Sequence, residues 1–111
     1  MSLAPLASFT DANFDAEVLA SPLPVLVDFG AVWCTSCRAL APVVRALASA
    51  HPGRLRIGEL DVDHSPDVPT RYGVRSVPTL LLFRGGRVVG QLVGAVARAK
   101  LEAFLAPHLG G

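Results

Sequence analysis

The stretch Val25-Leu26-Val27-Asp28-Phe29-Gly30-Ala31-Val32-Trp33-Cys34-Thr35-Ser36-Cys37 decides the fold. It begins as a short apolar run, broken only by Asp28, of the kind that forms a strand buried on both faces of a parallel sheet. It ends with the chain's only two cysteines, three positions apart, at the start of an amphipathic helical pattern. From Cys34 to about His51, apolar side chains fall at Cys37, Leu40, Val44 and Leu47, with Arg38, Arg45 and Ser49 on other faces. Cysteines so placed can close a disulfide within one helical turn. The helix start also offers unpaired N–H groups and the positive end of the dipole, which stabilise the thiolate of the first sulfur. Because the thiolate is the nucleophile of disulfide exchange, the pair reads as a redox centre, with Cys37 turned toward the core.

On the N-terminal side, Thr10 can cap a helix over about Asp11 to Ala20. Phe9 and Phe14 are spaced as a hydrophobic staple, and Asp11 and Asp15 suit the positive helix end. Ser21-Pro22 ends that helix, and Pro24 to Phe29 is the first strand expected. Pro42 falls inside the long helix, where it removes one backbone bond and predicts a kink, and Pro52-Gly53 stops it. Leu55 to Val62 reads as a second strand. A connection containing a full helix makes these two strands parallel, joined by a right-handed crossover. Ser65 to Tyr72 holds two prolines and allows only a short helical segment, closed by Gly73. Thr79 to Phe83 and Val88 to Val93 flank Gly85-Gly86, the signature of a tight antiparallel hairpin. A last helix over about Ala97 to Leu109 buries Leu101, Phe104, Leu105 and Leu109 on one stripe. The expected architecture is one α/β domain over residues 1–111, a central mixed sheet covered by helices on both faces.

A chain of 111 residues, 51% of them hydrophobic, holds one ordinary core without staples. Ten Lys and Arg stand against nine Asp and Glu, scattered along the chain, so there is no basic patch of the kind that binds nucleic acid. Met1-Ser2-Leu3-Ala4-Pro5 lacks a basic leader region, and nowhere do ~18 apolar residues run together, which argues against a membrane role. A soluble cytoplasmic protein is the expectation. In that reducing compartment a lone C-x-x-C is catalytic or metal-binding more often than a structural staple. Structural zinc needs four ligands, but there is no second cysteine pair, and His51, His64 and His108 lack H-x-x-x-H spacing. No metal is therefore expected, and the histidines read as solvated surface residues.

The ordered set of Val-Leu-Val-Asp-Phe, Trp-Cys-x-x-Cys on a proline-containing helix, Val77-Pro78-Thr79 opening a hairpin strand, and Gly94 before a terminal helix resembles the thioredoxin family. The resemblance spans about Phe9 to Leu109. It implies the thioredoxin fold and a thiol-disulfide oxidoreductase that reduces protein disulfides without a bound cofactor. By resemblance, Cys34 is the exposed attacking thiol, Cys37 the resolving one, and Asp28 the buried carboxylate that helps proton transfer. Pro78 matches the family's cis-proline beside the dithiol. Trp33, Val77, Gly94 and Ala95 match the apolar rim that grips an extended substrate, with Thr35 and Ser36 between the cysteines completing the substrate-facing set. The implied partners are protein disulfide substrates and an NADPH-dependent thioredoxin reductase, with the protein acting as a monomer.

Three positions depart from the family pattern. Thr35-Ser36 replaces the usual Gly-Pro, Gly30 stands where bacterial relatives often carry a second Trp, and Glu59 stands where many carry Lys. By the same resemblance Glu59 sets a second carboxylate near Asp28 in place of a cation, though it reads as a strand-end residue with no catalytic part. The Thr35-Ser36 pair leaves open a thiol oxidase or isomerase with a less reducing couple. A non-catalytic thioredoxin-like binding module is the other alternative.

Overall fold

A computed structural model describes residues 6–109; the terminal stretch Met1 to Pro5, with Gly110 and Gly111, lies outside the described residues. The sheet is built from β1 (Ala7–Phe9), β2 (Val25–Gly30), β3 (Arg56–Asp61), β4 (Thr79–Arg84) and β5 (Arg87–Val93), in the order β1-β3-β2-β4-β5. β3 pairs parallel with both β1 and β2, while β4 runs antiparallel to β2 and to β5. The mixed sheet and the parallel β2–β3 crossover match the sequence expectation. β1 was not anticipated: at three residues it is too short to show an alternating pattern.

Alternation along β2 divides the core into two layers. Val25, Val27 and Phe29 face one cluster with Phe9, Phe14, Val18 and Val68. Leu26 faces the opposite cluster with Leu40, Val44 and Leu47 of α1 (Thr35–Ala50) and Leu101 and Leu105 of α3 (Arg98–Leu105). By the same period of two, Asp28 points toward α1. Pro42 sits on the exposed side of α1. An interior proline costs roughly 3 kcal/mol, whereas each buried apolar side chain on the opposite stripe contributes roughly 1.5–3 kcal/mol. Packing therefore wins and the helix continues through the proline.

The first expected helix is different in detail. Thr10 and Asn13 cap each other, with Asn13 N–H donating to Thr10 Oγ1 (3.1 Å) and Thr10 N–H to Asn13 Oδ1 (2.8 Å). Residues 11–13 form a turn, and Asp15–Leu19 then widens into a π-helical segment that buries Val18. Asp11 serves another element, because its carboxylate accepts the Asp67 and Val68 N–H groups (3.1 and 2.9 Å) at the start of α2 (Asp67–Arg71). The last helix is also shorter than expected. Pro107 lacks the N–H that would continue it, so α3 ends at Leu105 and passes into a 3₁₀ turn, Ala106–His108. Leu101 and Leu105 are buried as expected, and Phe104 and Leu109 are half-buried against the same cluster.

Candidate active site

Cys34 is the N-cap of α1, in extended backbone conformation, and Cys37 lies one turn inward on its buried face. The two are joined as a disulfide, with Cα atoms 5.2 Å apart. Sγ of Cys34 accepts the Cys37 N–H at 3.2 Å, so the sulfur takes the place that a capping oxygen usually fills. The Ser36 hydroxyl lies 3.4 Å from the same sulfur. Both contacts favour a charged sulfur over a neutral one.

The Val77–Pro78 peptide is cis, and the Val77 carbonyl oxygen comes within 3.8 Å of Cys34 Sγ. Pro78 is buried and its carbonyl accepts the Gly94 N–H at 2.8 Å, which ties the β4 entrance to the end of β5. Gly94 has φ +90°, a value that disfavours any side chain. Val77 packs on Ala31 and the two cysteines. Ala95 and Thr35 are exposed, and Thr35 Oγ1 accepts a 3.4 Å bond from Arg38. Trp33 is 67% exposed, so its ring lies on the surface rather than in the core, held by a 2.8 Å bond from Nε1 to Asp63 Oδ2. With Val62, Val74 and Val77 it lines a small apolar pocket beside the cysteine pair.

The expectation of an exposed Cys34 is corrected. In the disulfide state Cys34 is 5% exposed and Cys37 9%, because the first sulfur is wedged between the helix tip, the Ser36 hydroxyl and the Val77 carbonyl. Glu59 lies within β3 rather than at its end, and it sets a second carboxylate near Asp28 as the family resemblance implies. Glu59 is the register partner of Asp28 on neighbouring parallel strands, and parallel partners project to the same face. Asp28 is 4% exposed and its Oδ1 has no hydrogen-bond partner among the described residues. Desolvation first, and then the negative charge of Glu59, raise its pKa to about 7.

A cavity of about 480 Å³ opens between α1 and strands β2 and β3, lined by Asp28, Gly30, Ala31, Val32, Cys37, Arg38, Ala41, Arg45, Glu59, Leu60 and Asp61. The sequence signals for it are Gly30 and Glu59, two of the three places where this chain departs from the family pattern. The histidines also need correction. His51 is half-buried at the end of α1 with its Nε2 2.8 Å from Glu102 Oε1, and His108 is half-buried; only His64 is exposed.

The Thioredoxin family model matches residues 5–107. The chain is 46% identical over 103 residues to thioredoxin 1 of Nostoc sp., covering 93% of this chain and 96% of the relative. It is 48% identical over 96 residues to thioredoxin of Allochromatium vinosum, covering 86% and 90%. With thioredoxin of Synechocystis sp. it shares 44% over 109 residues, covering 98% and 100%. A cysteine pair closing a disulfide at a helix start, on a five-stranded mixed sheet, defines a dithiol-disulfide oxidoreductase. The chain belongs to the thioredoxin family, with Cys-Thr-Ser-Cys as its redox pair.

Proposed function

We propose that this protein reduces protein disulfides with Cys34 as the attacking and Cys37 as the resolving thiol. The reading rests chiefly on the Cys37 N–H donated to Cys34 Sγ at 3.2 Å, which stabilises Cys34 as thiolate and as leaving group. The Cys34 thiolate attacks one sulfur of a partner disulfide, expelling the other as thiolate and forming a mixed disulfide. Cys37 passes its proton to Asp28, and its own thiolate attacks Cys34 Sγ. The second partner thiol leaves, and Cys34–Cys37 remains oxidised. A carboxyl with a pKa of about 7 can accept and return that proton near neutral pH.

Trp33, Thr35, Ser36, Val77, Pro78, Gly94 and Ala95 surround the path of an extended substrate segment, a role supported by the small apolar pocket that Trp33 and Val77 line beside the cysteine pair. Kinship with thioredoxins supports an NADPH-dependent thioredoxin reductase as electron donor, and a monomeric, cytoplasmic, single-domain protein over residues 1–111. Among the described residues no helix is long and apolar enough to cross a membrane.

Insulin reduction with dithiothreitol tests the assignment. Cys34→Ser abolishes turnover, whereas Cys37→Ser accumulates mixed disulfides with partners. Full activity in Cys34→Ser overturns it. A second reading, oxidase or isomerase action, is favoured by the Ser36 hydroxyl 3.4 Å from Cys34 Sγ, since a stabilised thiolate makes a couple more oxidising. The reduction potential measured against glutathione separates the two.

A further inference from the structure

The chain leaves β3 through a turn that is locked twice. Asp61 is the last residue of the strand, and Val62, Asp63 and His64 follow as a turn closed by the Ser65 N–H, which donates to the Asp61 carbonyl at 2.9 Å. The Asp61 side chain closes it again, because its Oδ1 accepts the Asp63 N–H at 2.9 Å. An aspartate bonded to the backbone two residues on holds a turn in one conformation. The start of the turn is fixed to the sheet as well, since the Val62 N–H donates to the Gly30 carbonyl at the end of β2 (3.0 Å).

This turn supports the substrate side of the redox pair. Asp63 Oδ2 accepts the Trp33 Nε1–H at 2.8 Å, and that N–H is the one polar handle an indole has. The ring is otherwise largely in solvent, so the bond to Asp63 is what sets its direction. Val62, one residue earlier in the turn, packs on Ala31 and the two cysteines. Trp33 and Val62 are two walls of a pocket of about 160 Å³, which Val74, Arg75, Ser76 and Val77 complete. Asp61 does not line that pocket. Its half-buried carboxylate instead lines the larger cavity with Asp28, Glu59, Arg38 and Arg45, and from there it fixes the turn that carries both walls.

We propose that Asp61 is a positioning residue for protein substrates: acting through Asp63, it holds the Trp33 indole and Val62 as walls of a pocket that seats a side chain beside the substrate's disulfide. The proposal rests on the reading of Trp33 as substrate-facing and adds a residue that touches neither the substrate nor the sulfurs. An indole left free would have to be ordered as the substrate arrives, and ordering a side chain on binding lowers affinity. With Asp61 in place the ring is ordered beforehand. Its effect therefore falls on the binding of a polypeptide and not on the exchange of bonds between sulfurs.

The test compares Asp61→Ala with Asp61→Asn in the full chain. Both variants remove the negative charge that Asp61 places near Asp28 and Glu59, but only Asn keeps an oxygen that can accept the Asp63 N–H. A difference between the two therefore reports the turn and not the charge. Relative to Asp61→Asn, Asp61→Ala is expected to raise KM for insulin reduction roughly fivefold at equal kcat, a factor equivalent to ~1 kcal/mol of binding. It is also expected to lower the fluorescence anisotropy of Trp33. The two variants should reduce 2-hydroxyethyl disulfide, which has no side chain to seat, at the same rate. Asp63→Ala should reproduce the raised KM, and adding Asp61→Ala to it should change nothing further, because both residues act along one chain of contacts. Equal KM values in the two Asp61 variants overturn the proposal, as does an equal loss of rate with 2-hydroxyethyl disulfide. Trp33→Ala tests the underlying reading. A raised KM there, with no difference between the Asp61 variants, overturns the role of Asp61 alone, whereas an unchanged KM in Trp33→Ala overturns the substrate-facing reading of Trp33 together with it.

Discussion

Asp28 and Glu59 are register partners on the parallel strands β2 and β3, and both carboxylates line the cavity between the sheet and α1. Asp28 is buried there with one oxygen unpartnered among the described residues, while Glu59 is half-buried. Burial makes ionisation of Asp28 costly, and the neighbouring negative charge adds to that cost. The same cost brings the group to a pKa at which it can move a proton during disulfide exchange.

Stability follows from the sign of this shift. The folded pKa of Asp28 is about 7 against an ordinary value of 3.8, so between these pH values the folded state holds a proton that the unfolded state has released. Stability is therefore fully present below about pH 4 and declines as pH rises through about 7. Asp28→Asn removes this decline and stabilises the oxidised protein at pH 8, by at most about 4 kcal/mol at ~1.4 kcal/mol per pH unit. The same variant slows insulin reduction. Glu59→Gln lowers the Asp28 pKa by less than burial raises it, because charge repulsion is the smaller cause. Urea unfolding across pH 4–8 and a carboxyl NMR titration of Asp28 check both; an unchanged Asp28 pKa in Glu59→Gln contradicts the coupling.

Gly58 faces the ring of Phe9 across the β1–β3 pairing, and a Cβ there would overlap that ring. Phe9 is 2% exposed and has no room to withdraw. Gly58→Ala should therefore destabilise by roughly 1–3 kcal/mol through overpacking. The drop in Tm is the measurement, and a variant as stable as the parent would show that β1 can peel away without loss.

Much of this arrangement is legible in the residues. Gly85 and Gly86 adopt φ +60° and +79°, the positive pair that a two-residue hairpin needs, so that turn could be read directly. The apolar run of β2, buried on both faces, and the α1 stripe were equally readable. What escaped reading depends on partners distant in sequence. The short β1 exists because β3 offers it an edge, Asp11 caps a helix more than fifty residues away, and His51 is held by Glu102. At the site, the cysteine pair and Asp28 announce themselves by type and spacing. The approach of Glu59 to Asp28 was legible only through the family resemblance, and the covered position of Cys34 comes from loop packing, which no local pattern encodes.

Trp33 is the chain's only tryptophan and is covalently adjacent to Cys34. Its ring is pinned to Asp63 through Nε1, which keeps it at the rim of the cleft rather than free in solvent. Emission should brighten on reduction, when the neighbouring disulfide no longer quenches the indole. Asp63→Ala frees the ring and reduces the difference between the two states. Identical spectra for oxidised and reduced protein would mean that the indole does not sense the sulfurs.

Ser36 bears on the redox poise through its side chain. The backbone donor to Cys34 Sγ is Cys37 N–H, which a proline at position 36 would leave in place, so the contribution of position 36 rests on the Ser36 hydroxyl, 3.4 Å from the sulfur. A hydroxyl that donates to the thiolate stabilises the reduced state and makes the couple more oxidising. One such bond, worth ~1 kcal/mol, moves a two-electron potential by roughly 20 mV. Ser36→Ala should therefore shift the potential about 20 mV more negative and raise the Cys34 pKa, both followed by equilibration with glutathione and by the pH dependence of alkylation. Ser36→Pro should give the same shift, since both variants remove only the hydroxyl from the sulfur's surroundings. A larger negative shift in Ser36→Pro than in Ser36→Ala would assign the excess to the backbone at position 36, and no shift in Ser36→Ala would remove the hydroxyl from the account of the poise.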